Sequence, residues 1–227
     1  MRLAATTSDP VTGDALPEPC LGLEDIGAGD PRDWPAAAAF ALMRIGGLTG
    51  AVKDDRPLVF VATGQWRRER GGLSARGVLA LGLDLSRIIL VRADREIEAL
   101  WALEEALKSG AVAGAMATVE QASLVATRRL DFAARAGRAT GVLLRVGPPG
   151  GLSAARLRWR IEALASASHP FDVRAPGAMR LRAGLERRRN GPLGEWDLEQ
   201  DHETHRLRLA AGLADHGLVQ GGRAHAA

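Results

Sequence analysis

Few side chains in this sequence are spaced for metal binding or nucleophilic catalysis. His202 and His205 stand three residues apart, which is not the spacing of metalloprotease zinc ligands, and no third ligand is evident. Cys20, the single cysteine, lies in a proline-rich segment without a neighbouring histidine that could activate it. We predict no metal site, and we interpret residues 202–205 as a solvated charged segment.

The basic residues indicate a polyanionic or acidic partner. Only Lys53 and Lys108 are lysines among the 30 basic residues, and neither follows a glycine-rich loop, as the phosphate-binding lysine of an ATPase does. Residues 1–120 hold 13 basic and 17 acidic residues, a balance of −4. Residues 121–227 hold 17 basic and 10 acidic residues, a balance of +7. This asymmetry places the expected partner on the second half of the chain.

One group of arginines is a candidate for contacts with DNA or a protein partner. Over residues 156–161, arginine alternates with a large apolar residue, which is typical of a strand with one buried face. No acidic strand is evident beside it, so its guanidinium groups could contact phosphates without reading base sequence. A merely solvated face is the alternative. The candidate residues are Arg145, Arg156, Arg158 and Arg160.

The arginines of the next alternating segment, at 180 and 182, are expected to pair with acidic residues. Arg180 and Arg182 alternate with apolar residues, and acidic residues do so over 195–199. If both strands bury their apolar sides together, these charges meet on the opposite face. We therefore predict that Arg180 and Arg182 form cross-strand ion pairs, the commoner fate of alternating exposed charges.

An aromatic residue among arginines is a second candidate binding site. Trp66, Arg67 and Arg68 follow a buried apolar run and are interpreted as a polar loop. An exposed tryptophan there would be a binding hot spot, and packing of Trp66 over the sheet is the alternative. The remaining tryptophans are predicted to anchor the core or cover helix–sheet contacts: Trp34, Trp101, Trp159 and Trp196.

These residues must be positioned by alternating strands and helices. Continuous apolar runs at 56–62, 87–91 and 140–146 predict strands buried on both faces. Helical segments between the strands predict parallel βαβ units and a sheet covered on both sides. After residue 147 the period becomes two, which predicts antiparallel strands. The expected fold is α/β, a mainly parallel sheet flanked by helices with an antiparallel C-terminal extension.

The clearest predicted helix begins at Asp94 as the N-cap and ends at Gly110. Lys108 in its last turn complements the helix dipole. Its apolar residues are expected to share one broad buried face. They are Ile97, Leu100, Trp101, Leu103 and Leu107.

The chain is expected to form one core domain over residues 21–210, with flexible tails at 1–20 and 211–227. No apolar run approaches the ~20 residues that span a bilayer. The first thirty residues carry charge and proline where a signal peptide is apolar. We therefore expect a cytoplasmic protein without membrane contact.

The order and spacing of these elements resemble the RecA recombinase core and, more closely, the ImuA family of damage-induced mutagenesis proteins. The resemblance covers roughly residues 21–210. It includes the pattern Gly191…Gly194-x-Trp196-x-Leu198-Glu199. The other segments that carry it are 82–91, 99–112, 126–136, 140–146 and 155–161. The resemblance implies a RecA-like fold in which residues 120–123 and 147–153 replace the two DNA-binding loops of RecA, here both short.

The resemblance also implies an ATP site, which the residues do not support. At the phosphate-loop position, Gly27 and Gly29 precede a helix, but no Gly-Lys-Ser/Thr follows and only Arg32 offers positive charge. Thr118 stands where a magnesium-binding aspartate is expected, and residues 64–65, Gly-Gln, replace the catalytic glutamate. We predict a non-catalytic protein with no nucleotide-binding residues and no cofactor.

By resemblance, the chain would be a nucleoid-associated adapter in SOS-induced translesion DNA synthesis and error-prone repair. Its implied partners are ImuB, an inactive relative of the Y-family lesion-bypass polymerases, and an error-prone replicative-type polymerase. Further candidates are RecA and single-stranded DNA, the latter through weak non-specific contacts. Two alternatives stay open: a DNA-stimulated RecA-type ATPase with a rewritten phosphate loop, and a cell-division inhibitor of the SulA type.

Overall fold

A computed structural model describes residues 16–47, 54–169, 171–172, 174–201 and 203–210. Residues 1–15 and 211–227 of the predicted tails, Lys53 and His202 lie outside the described residues. The strands are β1 (Gly22–Ala28), β2 (Leu58–Thr63), β3 (Ile88–Ala93), β4 (Gly114–Thr118), β5 (Thr140–Arg145), β6 (Leu157–Leu164), β7 (Arg180–Arg188), β8 (Gly194–Gln200) and β9 (Leu207–Leu209). The α-helices are α1 (Trp34–Ile45), α2 (Gly64–Arg70), α3 (Ala75–Ala80), α4 (Glu96–Lys108) and α5 (Leu124–Ala136).

The described strands form one sheet in the order β3-β2-β4-β5-β1-β6-β7-β8-β9. The pairs from β3 to β6 are parallel, and those from β6 to β9 are antiparallel. This confirms the predicted fold class. Because β1 lies between β5 and β6, loops from distant parts of the sequence meet at its carboxyl end.

The parallel part of the sheet is buried between two layers of helix. On one side α1 packs Phe40 against Trp159 of β6, with ring centroids 5.3 Å apart. On the other side α4 and α5 bury Leu103 and Leu130 against β1, β2, β4 and β5. Each strand of the parallel centre therefore needs apolar residues on both faces, which explains its continuous apolar runs.

The strand at 87–91 is an exception, and the prediction that it is buried on both faces is wrong. Strand β3 lies at the edge of the sheet, and Ile89 and Leu90 are exposed. An apolar run looks the same in the centre of a sheet and at its edge. Only the strand order decides between the two.

Helix α4 also differs from its prediction. Arg95, not Asp94, is the N-cap, and Glu98 accepts from the backbone N–H groups of both residues. The helix buries Ala99, Leu103 and Leu107, whereas Ile97 and Trp101 are exposed. The buried face is narrower than predicted because α5 and the sheet contact only one side of the helix, so Trp101 is not a core anchor.

Candidate functional site at the carboxyl ends of the parallel strands

The carboxyl ends of the parallel strands are where open α/β sheets bind ligands. Four segments meet here: a tight turn after β1, helix α2 after β2, residues 119–123 after β4, and residues 146–152 after β5. Three of the four correspond to the phosphate-loop and DNA-loop positions identified in the sequence. Their geometry therefore decides which chemistry this edge of the sheet supports.

In the turn after β1, the backbone amides of residues 29, 30, 32 and 33 already donate hydrogen bonds within the fold. Residues 31–33 form one turn of 3₁₀-helix, in which the Asp30 carboxylate accepts from Arg32 N–H at 2.9 Å and Asp33 accepts from Asp30 N–H at 3.0 Å. Asp33 N–H donates to the Asp30 carbonyl, Gly29 N–H donates to the Ile161 carbonyl, and proline at 31 has no N–H. These four donors are thus not available to surround a phosphate.

The glycines of this turn serve close packing. A Cβ atom at Gly27 would overlap the Gly147 carbonyl and Pro149 of the loop after β5. A Cβ atom at Gly29 would lie 2.8 Å from the Glu162 side chain. The turn is therefore closed over by neighbouring segments, and Asp33 adds a further bond by accepting from the N–H of residue 163 at 3.0 Å.

The two other ATPase positions carry no carboxylate. Thr118 ends β4, and its buried hydroxyl has no hydrogen-bond partner among the described residues. Gln65 lies on the exposed side of α2, where its amide donates to Glu69 at 3.0 Å. Neither side chain supplies the anionic oxygen that magnesium prefers or that would activate a water.

A cleft of about 790 Å³ separates the loops after β4 and β5. The sequence placed both DNA-loop equivalents here, and the structure brings them together. The charged residues that line the cleft are Glu69, Arg70, Glu120 and Arg145. Two carboxylates thus offset two guanidinium groups, and the cleft lacks the excess positive charge that phosphate backbones require.

Arg145 is also held by the fold. Its Nε donates to Asp25 Oδ1 at 2.6 Å and its Nη2 to Oδ2 at 3.3 Å, while Nη1 donates to the Glu120 carbonyl at 2.9 Å. Asp25 lies on β1 and is fully buried. The guanidinium that was a candidate for DNA contact thus neutralises a buried carboxylate.

The three arginines at 156–160 alternate with buried residues as predicted, but each has a carboxylate beside it. Arg156 contacts Asp131 of α5 at 3.1 Å, and Arg158 lies 3.8 Å from Asp25. Arg160, the most exposed of the three, contacts Glu162 at 3.2 Å. The sequence missed the first two pairings because both carboxylates come from distant segments. DNA contact through these arginines stays a prediction.

The prediction for Arg180 and Arg182 is confirmed. Arg180 contacts Glu199 at 2.8 Å, and Arg182 makes two bonds to Asp197 at 2.7 and 3.0 Å. The hydrogen bonds to Asp197 raise the pKa of Arg182. These pairs form across β7 and β8 because both strands bury their apolar residues on the same face.

The assignment of Trp66 to a polar loop is wrong. Residues 64–70 form α2, capped by Thr63, whose hydroxyl accepts from Trp66 N–H at 3.2 Å. The indole packs edge-on against Trp34 and Phe60, at centroid distances of 5.2 and 5.5 Å. The threonine before the glycine was the available sequence signal for this helix.

The arginines of α2 remain exposed. Arg67 and Arg68 were candidates, and Arg70 beside the cleft was missed by the sequence analysis. None of the three forms an ion pair with a carboxylate of the described residues. The nearest acid in sequence, Glu69, accepts a hydrogen bond from Gln65. Helix α2 thus offers a basic surface at this edge of the sheet.

A second polar network escaped the sequence analysis. Glu24 of β1 is fully buried and accepts from Arg44 of α1 at 2.7 and 3.0 Å and from the Trp159 indole at 3.0 Å. The Arg44 guanidinium also lies 5.0 Å from the Trp159 ring. The acidic pair at 24–25 inside an apolar strand was its only signal. With every member bonded, the network has a structural role between β1, α1 and β6.

The described part of the chain has neither clustered metal ligands nor a helix that could span a membrane. No group of three or more histidine, cysteine or acidic residues is arranged there to hold a metal ion. None of the helices described above is long and apolar enough to cross a membrane.

Comparisons with known proteins give one clear similarity. No family model matches the sequence. The chain is 39% identical over 210 residues to the protein ImuA of two Caulobacter vibrioides strains, NA1000/CB15N and ATCC 19089, covering 86% of this chain and 82% of theirs. The crystal structure of SulA from Pseudomonas aeruginosa is 26% identical, with a TM-score of 0.41, covering 54% of this chain and 96% of that one.

Proposed function

The chain belongs to the ImuA family, and from that premise we propose that it is a non-catalytic accessory protein of damage-induced mutagenesis. In this role it acts by binding other proteins and contributes no chemical step of its own. The family membership supports the biological process. The non-catalytic part of the proposal rests on the geometry at the end of β1.

One observation carries that part: the turn after β1 is closed. A phosphate loop works because several backbone N–H groups and a lysine point at the anion. Here the amides at 29, 30, 32 and 33 are all used, and two carboxylates, Asp30 and Asp33, occupy the turn. A nucleotide would have to break these bonds and face negative charge. Arg32 alone cannot offset both costs.

Nucleotide binding by the pure protein tests this point. We expect no magnesium-dependent ATP binding by calorimetry and no ATP hydrolysis, with or without single-stranded DNA, and a RecA protein assayed in parallel serves as the positive control. Tight ATP binding that is lost in Arg32→Ala would contradict the proposal, because it would show that the turn opens to form a phosphate site.

The partners we propose are an ImuB-like relative of the Y-family polymerases and an error-prone replicative-type polymerase. RecA is a further proposed partner. This part rests on family membership, and co-purification of the tagged chain after DNA damage tests it. Recovery of none of these three proteins would contradict it.

We further propose that contact with single-stranded DNA is weak, independent of base sequence, and made by α2. Its support is the set of arginines at 67, 68 and 70, which are exposed, and of which Arg70 lines the cleft. Such contacts respond to phosphate charge, so the affinity should fall steeply with salt.

The biological role is tested in the organism that carries the gene. Deleting the gene should lower the frequency of mutations induced by ultraviolet light, and the wild-type chain should restore it. An unchanged induced mutation frequency in the deletion strain would contradict the proposed function. Filamentous cells on overproduction of the chain would favour a division inhibitor instead.

A further inference from the structure

A pocket opens beside α1, on the side of the sheet that α2 and α3 also cover. On the opposite side, α4 and α5 have 13 residues each. Here α2 and α3 have only seven and six residues, and the exposed residues 71–72, both glycine, lie between them. The helices leave a gap over β2 and β4, a cavity of about 330 Å³. This volume lies within the ~300–1,000 Å³ of small-molecule sites.

The pocket extends from the surface to the buried face of the sheet. Its floor is formed by Phe60 of β2 and Met116 of β4, which are 4% and 0% exposed. Trp34 and Trp66, whose rings pack edge-on, contribute to its wall. Ala38 of α1 also lines it, and its short side chain leaves space that a larger residue would fill. Apolar cavities of this kind take up apolar groups rather than water.

The polar groups of the pocket stand at its exposed rim. Among the described residues, one charged side chain lines the pocket, that of Arg70, the exposed last residue of α2. Arg70 forms no ion pair with a carboxylate of the described residues, and no aspartate or glutamate of this part of the chain lines the pocket. Ser74 Oγ accepts from Gly77 N–H at 3.3 Å, and its own O–H has no acceptor among the described residues. A guanidinium and a hydroxyl are thus available to an anionic group.

The charge and the walls of the pocket together select the ligand. One guanidinium balances one negative charge, which a carboxylate carries and a phosphate monoester exceeds. The apolar walls require the rest of the ligand to be apolar, because they offer no partner to a buried polar group. A nucleotide does not meet this requirement, since its sugar and base both carry polar groups.

We propose that this pocket binds a small carboxylic acid with an apolar body. The aromatic or branched aliphatic body lies against Phe60 and Met116. The carboxylate pairs with Arg70 and accepts a hydrogen bond from the Ser74 hydroxyl. Burial of the body supplies most of the affinity, and the two polar contacts fix the orientation of the ligand. The inference requires neither DNA nor a protein partner, so it is independent of the proposed function.

Calorimetry on the full chain tests the ligand class with matched pairs of compounds. The panel consists of phenylacetate, isocaproate, indole-3-acetate and naphthalene-1-acetate, each with its primary amide. We expect at least one acid to bind, and its amide to bind about tenfold more weakly. This is the loss expected when a hydrogen-bonded charge is replaced by a neutral group of the same shape.

Two variants test the pocket itself. Arg70→Gln removes the charge at the rim, so it should weaken binding of the acid by about tenfold and leave binding of the amide unchanged. Ala38→Leu fills the pocket from α1, so it should abolish binding of both compounds. Leucine is nearly as good a helix former as alanine, so α1 should persist. If Ala38→Leu does not fold, the surface variant Arg70→Gln still decides the question.

Matched controls make the same changes outside the pocket. Arg76→Gln removes an exposed arginine of α3, and Ala106→Leu enlarges a half-buried alanine of α4. Neither residue lines the pocket, so both variants should bind the acid as the wild type does. Far-ultraviolet circular dichroism and the urea midpoint establish that each variant is folded.

Two peptides of one sequence that end in phenylalanine, with a free and an amidated carboxyl end, distinguish the sources of such a ligand. A preference for the free end, with tighter binding than the small acids, assigns the pocket to protein C-termini. Binding of the small acids alone assigns it to a free small molecule.

Three results would overturn the proposal. The first is that neither the peptides nor any acid of the panel binds up to its solubility limit. The second is that acids and amides bind equally well. The third is that folded Ala38→Leu binds the acid as tightly as the wild type. Each is measured on the pure protein without DNA, so it is distinguishable from an unchanged mutation frequency in the deletion strain.

Discussion

Replacing Arg145 by methionine separates a structural role for this arginine from a DNA-binding one. The Arg145–Asp25 pair is buried, with the two side chains 7% and 0% exposed. Methionine keeps much of the length of the side chain but removes the charge. Among the described residues, Asp25 would then keep only Arg158 as a basic neighbour, whose nearest nitrogen is 3.8 Å away.

The expected loss of stability is large because a charge is left buried without its partner. Such changes cost about 3–5 kcal/mol, a substantial part of the roughly 5–15 kcal/mol that stabilises a typical domain. The pair Arg182–Asp197 provides a matched control. It has the same two-bond geometry, but its side chains are 39% and 28% exposed. Arg182→Met should therefore cost about 1 kcal/mol or less.

A double variant tests the cause. If the buried unpaired carboxylate is responsible, Asp25→Leu combined with Arg145→Met removes both charges and should recover most of the loss. The assay is equilibrium unfolding in urea, followed by tryptophan fluorescence and far-ultraviolet circular dichroism. The slope of free energy against denaturant should stay constant, so that midpoints report stability.

The reasoning is refuted if Arg145→Met unfolds within about 1 kcal/mol of the wild type, or if the double variant is no more stable than Arg145→Met. A binding measurement completes the test. At a temperature at which Arg145→Met is folded, its affinity for a thymidine oligonucleotide should equal that of the wild type. A large loss of affinity without a loss of stability would make Arg145 a DNA-contacting residue.

Three further predictions concern binding, reactivity and pH. Changing Arg67, Arg68 and Arg70 together to alanine should weaken oligonucleotide binding and make its affinity depend less on salt. Fluorescence anisotropy across a salt series measures both. An unchanged affinity and an unchanged slope of log affinity against log salt would contradict this prediction. Burial and the nearby Glu24 carboxylate raise the pKa of the Cys20 thiol. This thiol should therefore react with a disulfide reagent only when the chain unfolds. Fast reaction of the native chain would argue against the burial of Cys20. A hydrogen bond from Arg56 lowers the pKa of Asp54 below its ordinary 3.8. Because the folded chain then holds this proton less tightly than the unfolded one, the stabilisation is present above pH 3.8 and is lost as the pH falls through the folded pKa. The urea midpoint should therefore fall on acidification below about pH 4, and less steeply in Asp54→Asn; equal slopes would exclude a contribution from this pair.

The sequence determined most of the elements and the fold class. Strand β5, at 140–145, falls on the apolar run at 140–146 that predicts a strand buried on both faces, because such a run is a local property of the sequence. The cross-strand pairs of Arg180 and Arg182 could also be predicted. They require only that two neighbouring antiparallel strands bury their apolar residues on the same side, and a short turn makes such strands neighbours.

The loss of the phosphate site could be foreseen only in part. The absence of a lysine after Gly27 and Gly29 is a fact of the sequence. That Asp30 and Asp33 use the amides of the turn, and that the loop after β5 packs onto Gly27, required the folded chain. Residue types exclude a catalytic group, but only geometry shows which donors are already bonded.

Tertiary structure decided which surfaces are free. The partners of Arg145 and Arg156 come from segments far away in the sequence, Asp25 on β1 and Asp131 on α5. They meet their arginines because a parallel sheet brings strands together through crossovers, in an order that local patterns do not encode. The same order places β3 at an edge and leaves Trp101 exposed. The charge and hydrophobicity of a side chain follow from its residue type. Its burial depends on which residues surround it in the fold, and the packing of the whole chain determines those neighbours.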